Sequence, residues 1–261
     1  RLFEIPQRND IYIINPSMRR YLEISLEISK IALKYVPKED LHQYSIDEFF
    51  MDVTDSYHRF NSTVFAFCKR LQNEILEETG IHCTIGIGSN MLLSKVAMDI
   101  EAKHSENGIA EWRYQDVPEK LWPIQPLRDF WGINKRTEKK LNKRGIFTIG
   151  DLAKYPYHYL KRDFGVLGID MHLHANGIDQ SKVREKYKVT NPSICKSQIL
   201  MRDYQFEESK VVMQELIEDV ASRLRAEKKL ARTIHFSFGY AEGGGIHKQY
   251  TLEDPTNLER D

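Results

Sequence analysis

Apolar and polar positions alternate between two spacings over the first 125 residues. Apolar residues at helical spacing predict three helices, the first of which starts at the Asn15-Pro16-Ser17 cap and ends before Pro37. Short apolar runs rich in β-branched and aromatic residues predict strands between the helices. The predicted order after the first helix is a strand segment at 43–54, a helix at 62–78 closed by Gly80, a strand at 83–88, a helix at 91–102 and a strand at 109–114. This alternation predicts an α/β or α+β layer in which helices cover a sheet.

The pattern changes after residue 125 and again after Asn191-Pro192. Between these points it predicts short helices separated by glycine and proline. Beyond them it predicts a strand at 194–203, an amphipathic helix at 207–230, a strand at 233–241, a glycine turn at 243–245 and a strand that ends near 252. A β-α-β-β order is typical of a small α+β domain. The predicted fold class is therefore α+β, in segments 1–125, 126–190 and 191–261.

The zero net charge hides an uneven distribution along the chain. Lys and Arg together number 38, as do Asp and Glu. Residues 128–188 hold fourteen basic and seven acidic side chains, so this stretch carries +7 and the remainder carries −7. A clustered basic stretch is the electrostatic feature expected of a nucleic-acid-binding surface.

Composition excludes several other classes of protein. With 41% hydrophobic and 29% charged residues, the chain is typical of folded globular proteins and not of disordered ones. No apolar run approaches the roughly 20 residues of a membrane helix, and the first residues have no apolar region typical of secretion. We therefore expect a cytoplasmic protein without a membrane partner. The three cysteines include no Cys-x-x-Cys pair, which argues against a disulfide framework or a cysteine zinc site.

The adjacent acids Asp47 and Glu48 stand in an otherwise apolar strand segment. Acids in a sheet core are costly unless they are hydrogen-bonded, protonated or bound to cations. One or two carboxylates together with substrate phosphates are the ligands that Mg²⁺ takes in phosphoryl transfer. Neighbouring residues of a regular strand face opposite sides, so these two acids reach one site only at a hairpin tip or a bulge. An exposed hairpin with ordinary surface acids stays open as the alternative.

Three ordered segments resemble Y-family translesion DNA polymerases of the UmuC/DinB type. The segments are 44–53 (YSIDEFFMDV), 84–97 (TIGIGSNMLLSKVA) and 147–153 (FTIGDLA). The resemblance implies a partial palm at 1–125, a helix-hairpin-helix thumb at 126–190 and an incomplete little finger at 191–261. It also implies primer-template DNA and a deoxynucleoside triphosphate as substrates, with two Mg²⁺ at the palm.

The same resemblance assigns roles at the palm. It makes Asp47 a catalytic metal ligand, Glu48 its partner near the primer end, and Lys103 the lysine that contacts the triphosphate. The segment after Lys103 is two residues longer than is usual in the family, and Phe49 is bulkier than the common alanine. The family also opens on a strand with another metal-binding aspartate, which nothing in residues 1–37 matches. We therefore expect that this chain alone does not polymerise DNA.

Gly132 and Gly145 flank a predicted short helix that is rich in basic residues. A glycine before a helix exposes backbone N–H groups that can bind a DNA phosphate, and Lys135 and Arg136 add positive charge there. Together with Ile133, these residues form the predicted DNA-binding set of the thumb. The alternative is a purely structural αα-hairpin, which the resemblance to a helix-hairpin-helix disfavours.

Four residues of the last segment resemble the little-finger positions that follow the duplex backbone. These are Lys196, Ser197 and Arg202 on the predicted strand at 194–203, and Arg232 on the later strand. Strand alternation would place Lys196 and Arg202 on one face. Ordinary exposed sheet polarity explains the same residues, so that alternative stays open.

A second functional hypothesis is a non-catalytic DNA-binding protein that engages primer-template through the thumb and little finger. Both hypotheses predict salt-sensitive DNA binding, and only the polymerase requires a complete metal site. Under the polymerase hypothesis a sliding clamp is a further candidate partner, through a motif outside these residues. The closest histidine pair, His172 and His174, points its rings apart on a helix, so we interpret both as structural or surface residues.

Overall fold

The computed structural model describes residues 5, 6, 8, 10–60, 63–185, 189–200 and 202–259, which belong to two compact units, Arg1–Lys186 and Tyr187–Asp261. The first unit contains α1 (Met18–Ala32), β1 (Leu41–Gln43), β2 (Phe49–Met51), α2 (Val64–Thr79), β3 (Ile85–Gly88), α3 (Met91–Ile100), β4 (Ile109–Trp112), α4 (Lys135–Asn142), α5 (Ile149–Lys154), α6 (Tyr157–Phe164) and α7 (Val166–Ala175). The second contains α8 (Phe206–Ala226), β5 (Ala231–Gly239) and β6 (Gly245–Thr256). The α+β class is confirmed.

Helices α1 and α2 begin at side-chain caps. The hydroxyl of Ser17 accepts a hydrogen bond from the N–H of Arg20, and the hydroxyl of Thr63 accepts one from Ala66. Gly80 ends α2 in the left-handed conformation, with a φ of 70°. The buried faces of the two helices share a core with the strands, formed by Ile31, Tyr35, Phe67, Cys68, Leu71, Ile75, Ile87 and Ile109.

Two strand pairs lie in the first unit. Strands β1 and β2 are antiparallel, with Leu41 opposite Met51, and β3 and β4 are parallel, joined through α3. A Cβ on Gly86 would lie 1.9 Å from the carbonyl oxygen of Ser94, and a Cβ on Gly88 would lie 2.2 Å from the backbone nitrogen of Ser94. Only glycine therefore lets α3 lie so close to β3, as expected of glycines inside a strand.

A second core runs from α3 and β4 into helices α4 to α7. Its fully buried members include Leu92, Trp112, Leu121, Leu141 and Leu160, each at most 1% exposed. The core is thus continuous across residues 125 and 126. The domain boundary predicted there stays a prediction.

Side chains of the segment after α7 bond to earlier parts of the first unit. The carboxylate of Asp179 accepts the N–H of Leu92 at 3.0 Å, at the start of α3. The guanidinium of Arg184 donates to both oxygens of Asp40, at 3.0 Å for the Nη2–Oδ2 contact, and the Asp40 side chain is 3% exposed. This guanidinium lowers the pKa of Asp40.

In the second unit, β5 and β6 are antiparallel partners, with Thr233 opposite Thr251. The predicted strand at 194–203 is wrong for the residues described there, because 194–200, 202 and 203 have no strand pairing. A strand is held by a hydrogen-bonded neighbour and a buried face, yet Ile199 is 93% exposed. The described order is therefore α-β-β, and not the predicted β-α-β-β.

The remaining boundaries differ from the prediction by a few residues. Helix α3 ends at Ile100 and is followed by the 3-10 turn Ala102–His104, and β6 continues to Thr256 instead of ending near 252. The predicted strand segment at 43–54 is a hairpin interrupted by a turn. Among the helices in the described part of the chain, none is long and apolar enough to span a membrane.

Candidate active site and nucleic-acid interface

The acid pair lies at the tip of the β1–β2 hairpin. The N–H groups of Tyr44 and Ser45 both donate to the carbonyl of Glu48, each at 3.0 Å, and so close a turn that contains Asp47. The pair therefore lies outside the ladder, which removes the objection that neighbouring strand residues face opposite sides. Asp47 is exposed, and its carboxylate accepts the hydroxyl of Ser45 at 2.7 Å.

Glu48 is held by a lysine that the sequence analysis did not assign. The ammonium of Lys95, on α3, lies 2.6 Å from the Glu48 carboxylate and 3.0 Å from that of Asp99. The Lys95 side chain is 10% exposed. Burial by itself would lower the pKa of Lys95, but the two hydrogen-bonded carboxylates outweigh it and raise the pKa.

Lys103 adds a fourth charged side chain to the three formed by Glu48, Lys95 and Asp99. Its ammonium lies 2.7 Å from Asp99, and its side chain is about half-exposed. Burial would raise the pKa of Asp99, but Lys103 and Lys95 outweigh it and lower the pKa. Glu48, Lys95, Asp99 and Lys103 thus form a charge ladder of alternating sign. The spacing of four residues between Lys95 and Asp99 on one helix is the signal that could have identified these two.

The hairpin offers part of a Mg²⁺ site. Asp47 is an exposed carboxylate, a hard oxygen ligand of the kind Mg²⁺ takes together with substrate phosphates. Glu48 is engaged by Lys95. Within the described ranges, no group of three or more His, Cys, Asp or Glu side chains is placed to hold a metal ion. Asp47 therefore fits as one ligand, and these residues do not build a two-ion site.

The predicted DNA-binding turn of the thumb precedes α4. Gly132 has a φ of 89°, and the side chain of Asn134 caps the helix by accepting the N–H of Thr137 at 2.9 Å. Lys135 and Arg136 are exposed in the first turn of α4. Gly145, with a φ of 77°, ends the connection after α4.

Ile133 has a structural part in this turn. Its side chain is 5% exposed in the second core, and its N–H donates to the carbonyl of Phe130 at 3.1 Å. Neither group is free to meet a phosphate, so Ile133 holds the turn against the core.

Other charges of the thumb are engaged internally. Arg144 and Arg162 both pair with Asp163, at 2.7 Å and 2.8 Å, and lower the pKa of Asp163 to about 2. Arg128 pairs with Glu138 at 3.0 Å. Lys135 and Arg136 have no ion pair with any residue in the described part of the chain, so their charge faces solvent.

An aromatic contact joins the acid hairpin to the thumb turn. The indole N–H of Trp131 donates to the hydroxyl of Tyr44 at 3.1 Å, and the two rings meet edge to face at 5.8 Å. Trp131 also contacts Phe50 of β2 and stacks on His174 of α7. Tyr44 and Trp131 are 87 residues apart in sequence, and nothing in the spacing indicates their contact.

The predicted little-finger residues are not gathered on one strand. Lys196 and Ser197 are exposed but lie outside β5 and β6. Arg202 pairs with Glu208 at 2.6 Å and lies over the ring of Tyr204. Arg232 donates to the carbonyl of Leu252 across the β5–β6 pair at 3.2 Å. Of these four, Arg232 alone lies on a strand of the described residues.

An acid pair on a hairpin tip, a lysine-bearing helix packed on β3 and a turn before a basic helix are the features that the resemblance to Y-family DNA polymerases leads us to expect. Family comparisons agree with this class along the chain. Residues 1–99 match the impB/mucB/samB family, residues 114–146 match its HHH motif, and residues 191–261 match its C-terminal domain. The chain therefore belongs to the impB/mucB/samB family of Y-family translesion polymerases.

Three curated relatives come from Bacillus subtilis (strain 168). The chain is 44% identical to UvrX, a protein named for UV-damage repair, over 100% of this chain and 62% of UvrX. It is 46% identical to the DNA repair protein homolog YobH, over 74% of this chain and 91% of YobH. It is 35% identical to DNA polymerase IV 2, over 100% of this chain and 64% of that polymerase. The chain thus spans less than two thirds of the length of UvrX and DNA polymerase IV 2.

Solved structures support the fold. A chimera of the Y-family polymerases Dbh and Dpo4 matches with a TM-score of 0.64 at 19% identity, over 92% of this chain and 67% of the chimera. DinB from Sulfolobus solfataricus matches with a TM-score of 0.53 at 20% identity, over 93% of this chain and 68% of DinB.

Proposed function

We propose that the intact protein is a UmuC/DinB-like polymerase that extends primers on damaged DNA templates. In this reaction the primer 3′-oxygen forms a bond to the α-phosphorus of a deoxynucleoside triphosphate. The bond between that phosphorus and the oxygen of the leaving diphosphate breaks, and pyrophosphate and the hydroxyl proton are released.

One observation carries the proposal: the closed turn brings Asp47 and Glu48 to the same hairpin tip, where Glu48 is the first member of the charge ladder. In the proposal Asp47 is a metal ligand, and Glu48 faces the primer end. Lys103 releases its ion pair with Asp99 and binds the triphosphate instead. Its half-exposed position at the end of the ladder permits this change of partner. Two Mg²⁺ in the intact protein would stabilise the attacking and leaving oxygens.

DNA binding is assigned to the thumb turn and to the second unit. Gly132, Lys135, Arg136 and Gly145 would meet a phosphate of the primer-template, since the backbone there is open and the two cations face solvent. In the second unit, Lys196, Ser197, Arg202 and Arg232 remain the proposed backbone contacts. Arg202 must then leave Glu208, or hold both Glu208 and a phosphate.

The pairing of Glu48 with Lys95 favours one alternative, a non-catalytic protein that engages primer-template DNA. A lysine 2.6 Å from Glu48 already supplies the positive charge that a metal ion would bring. The same observation supports the proposal that the 261-residue segment is inactive by itself, since Asp47 is then the one acid of the pair without a cation partner among the described residues.

Primer extension separates the two functions. The intact protein and the 261-residue segment are each mixed with a primed template, deoxynucleoside triphosphates and Mg²⁺, and DNA affinity is measured in parallel. The proposal predicts extension by the intact protein, and DNA binding without extension by the segment. DNA binding without extension by the intact protein would establish the non-catalytic alternative.

A further inference from the structure

The contact between Trp131 and Tyr44 joins two parts of the proposed active site. Tyr44 is the first residue of the acid hairpin turn, and its N–H donates to the Glu48 carbonyl. Trp131 directly precedes Gly132 at the thumb turn. In the described part of the chain, the 3.1 Å bond from the Trp131 indole to the Tyr44 hydroxyl is the one hydrogen bond between hairpin residues 44–48 and residues 126–175.

Both ends of this contact are held by their surroundings. The Trp131 ring is parallel to His174 within 5° at 6.4 Å, and it also meets Phe50 at 6.2 Å. The Tyr44 ring meets Phe50 edge to face at 5.6 Å. The bond therefore connects two rings that each pack against further rings of their own part of the site.

Simple core packing does not account for this hydroxyl. Tyr44 is 45% exposed, so water could satisfy its hydroxyl and a phenylalanine would serve the ring contacts equally well. What the hydroxyl adds is a directed contact that fixes one orientation of the hairpin relative to Trp131.

We infer that Trp131 is a positioning residue, which acts through the Tyr44 hydroxyl to fix the spacing between the acid pair and the phosphate-binding turn. The inference rests on the proposed polymerase function. The thumb turn sets where a DNA phosphate lies, and the hairpin sets where the acids lie. Reaction rate depends on both, because a misplacement of about 1 Å can cost about a hundredfold in rate.

The first test compares Tyr44→Phe, Trp131→Phe and the double variant of the intact protein in single-nucleotide insertion and in DNA affinity. We expect each single variant to lose about tenfold in kcat, with DNA affinity unchanged within about twofold. The double variant should lose no more than either single one, since all three break the same bond. Independent losses that multiply in the double variant, or an unchanged kcat, would overturn the inference.

Two control variants separate positioning from stability. Trp122→Phe removes an indole N–H that donates to the Ala175 carbonyl at 3.1 Å, away from the hairpin. Tyr12→Phe removes the hydroxyl of a tyrosine that is 85% exposed. We expect Trp122→Phe to lower thermal stability without the loss in kcat, and Tyr12→Phe to change neither. If Trp122→Phe lost as much kcat as Trp131→Phe, the loss in Trp131→Phe would result from lower stability, and the positioning role would be refuted.

The second test needs no catalysis. Hydrogen exchange of the Tyr44 and Ser45 amides is measured with and without primer-template DNA. Both proteins are measured with DNA bound. DNA at the thumb turn should slow the exchange of these amides in the unaltered protein and leave it unchanged in Tyr44→Phe. Equal slowing in both would refute the inference and leave the proposed function intact. Failure of the unaltered intact protein to extend primers would refute both.

Discussion

The Lys95 ammonium lies 2.6 Å from the Glu48 carboxylate, and this contact fixes the acid hairpin to α3. Both side chains are largely withdrawn from water, with exposures of 10% for Lys95 and 29% for Glu48. An ion pair in such a position is costly to break from one side, because the remaining charge is left without its partner in a poorly hydrated place.

Replacing Lys95 tests how much this contact holds the hairpin. Lys95→Met should lower the free energy of unfolding by about 1–3 kcal/mol, since it leaves Glu48 and Asp99 without a shared cation. Lys103→Met is the matched control, because Lys103 contacts the same Asp99 but is 48% exposed. It should cost at most about 1 kcal/mol. Urea unfolding of the two variants measures the difference, and equal losses would contradict a special role for Lys95.

The close approach of α3 to β3 predicts a large effect of one methyl group. Gly86→Ala places a Cβ 1.9 Å from the Ser94 carbonyl oxygen, so α3 must move. We expect a loss of about 1–3 kcal/mol, as for other overpacked sites. Gly239→Ala is the control, because that strand glycine has no atom within 4 Å of the added Cβ. Thermal unfolding compares them; similar melting temperatures would mean that α3 adjusts freely.

The ion pair of Asp40 makes the free energy of unfolding depend on pH. Because Arg184 lowers the pKa of Asp40 in the folded protein, the unfolded chain binds the proton more readily as pH falls. The stabilisation from this pair is present above the ordinary aspartate pKa of about 4 and is lost as pH falls below it. Asp40→Asn should therefore flatten the decline of stability below about pH 5, and Glu39→Gln, at the exposed neighbour, should not. Identical pH profiles for Asp40→Asn and the unaltered protein would exclude this contribution.

The exposed cations of the thumb turn predict a salt effect on DNA binding. Lys135→Ala combined with Arg136→Ala should reduce the slope of log affinity against log salt by about 0.9 for each phosphate that these side chains no longer bind. Removing two charges at Lys38 and Arg59, outside the thumb, is the matched control and should leave the slope near that of the unaltered protein. Fluorescence anisotropy over a range of salt concentrations measures both slopes. An unchanged slope in the thumb variant would place the DNA path elsewhere.

Local signals predicted the parts of the first unit that depend on neighbours in sequence. The cap at Ser17 and the end of α2 at Gly80 follow from residue types that are strongly preferred at helix ends. Strand geometry left a hairpin tip or a bulge as the places where Asp47 and Glu48 could share a site, and the structure has the hairpin tip.

Contacts between distant segments could not be predicted in the same way. Lys95 meets Glu48 across 47 residues, and Trp131 meets Tyr44 across 87, so only the packed fold brings them together. The prediction of a strand at 194–203 was wrong because a local signal was not matched by a distant contact. The composition favours a strand, but in the described residues no neighbouring strand pairs with it.

The most direct test of the proposed function is primer extension by the intact protein carrying Asp47→Ala. With Mg²⁺ and a primed template, the unaltered protein should extend the primer, and Asp47→Ala should lose more than about a hundredfold in rate, because it removes the carboxylate proposed as metal ligand. Glu39→Ala, which removes an exposed acid outside the hairpin, should retain the activity. Undiminished extension by Asp47→Ala would contradict the assignment of the hairpin tip as the catalytic site.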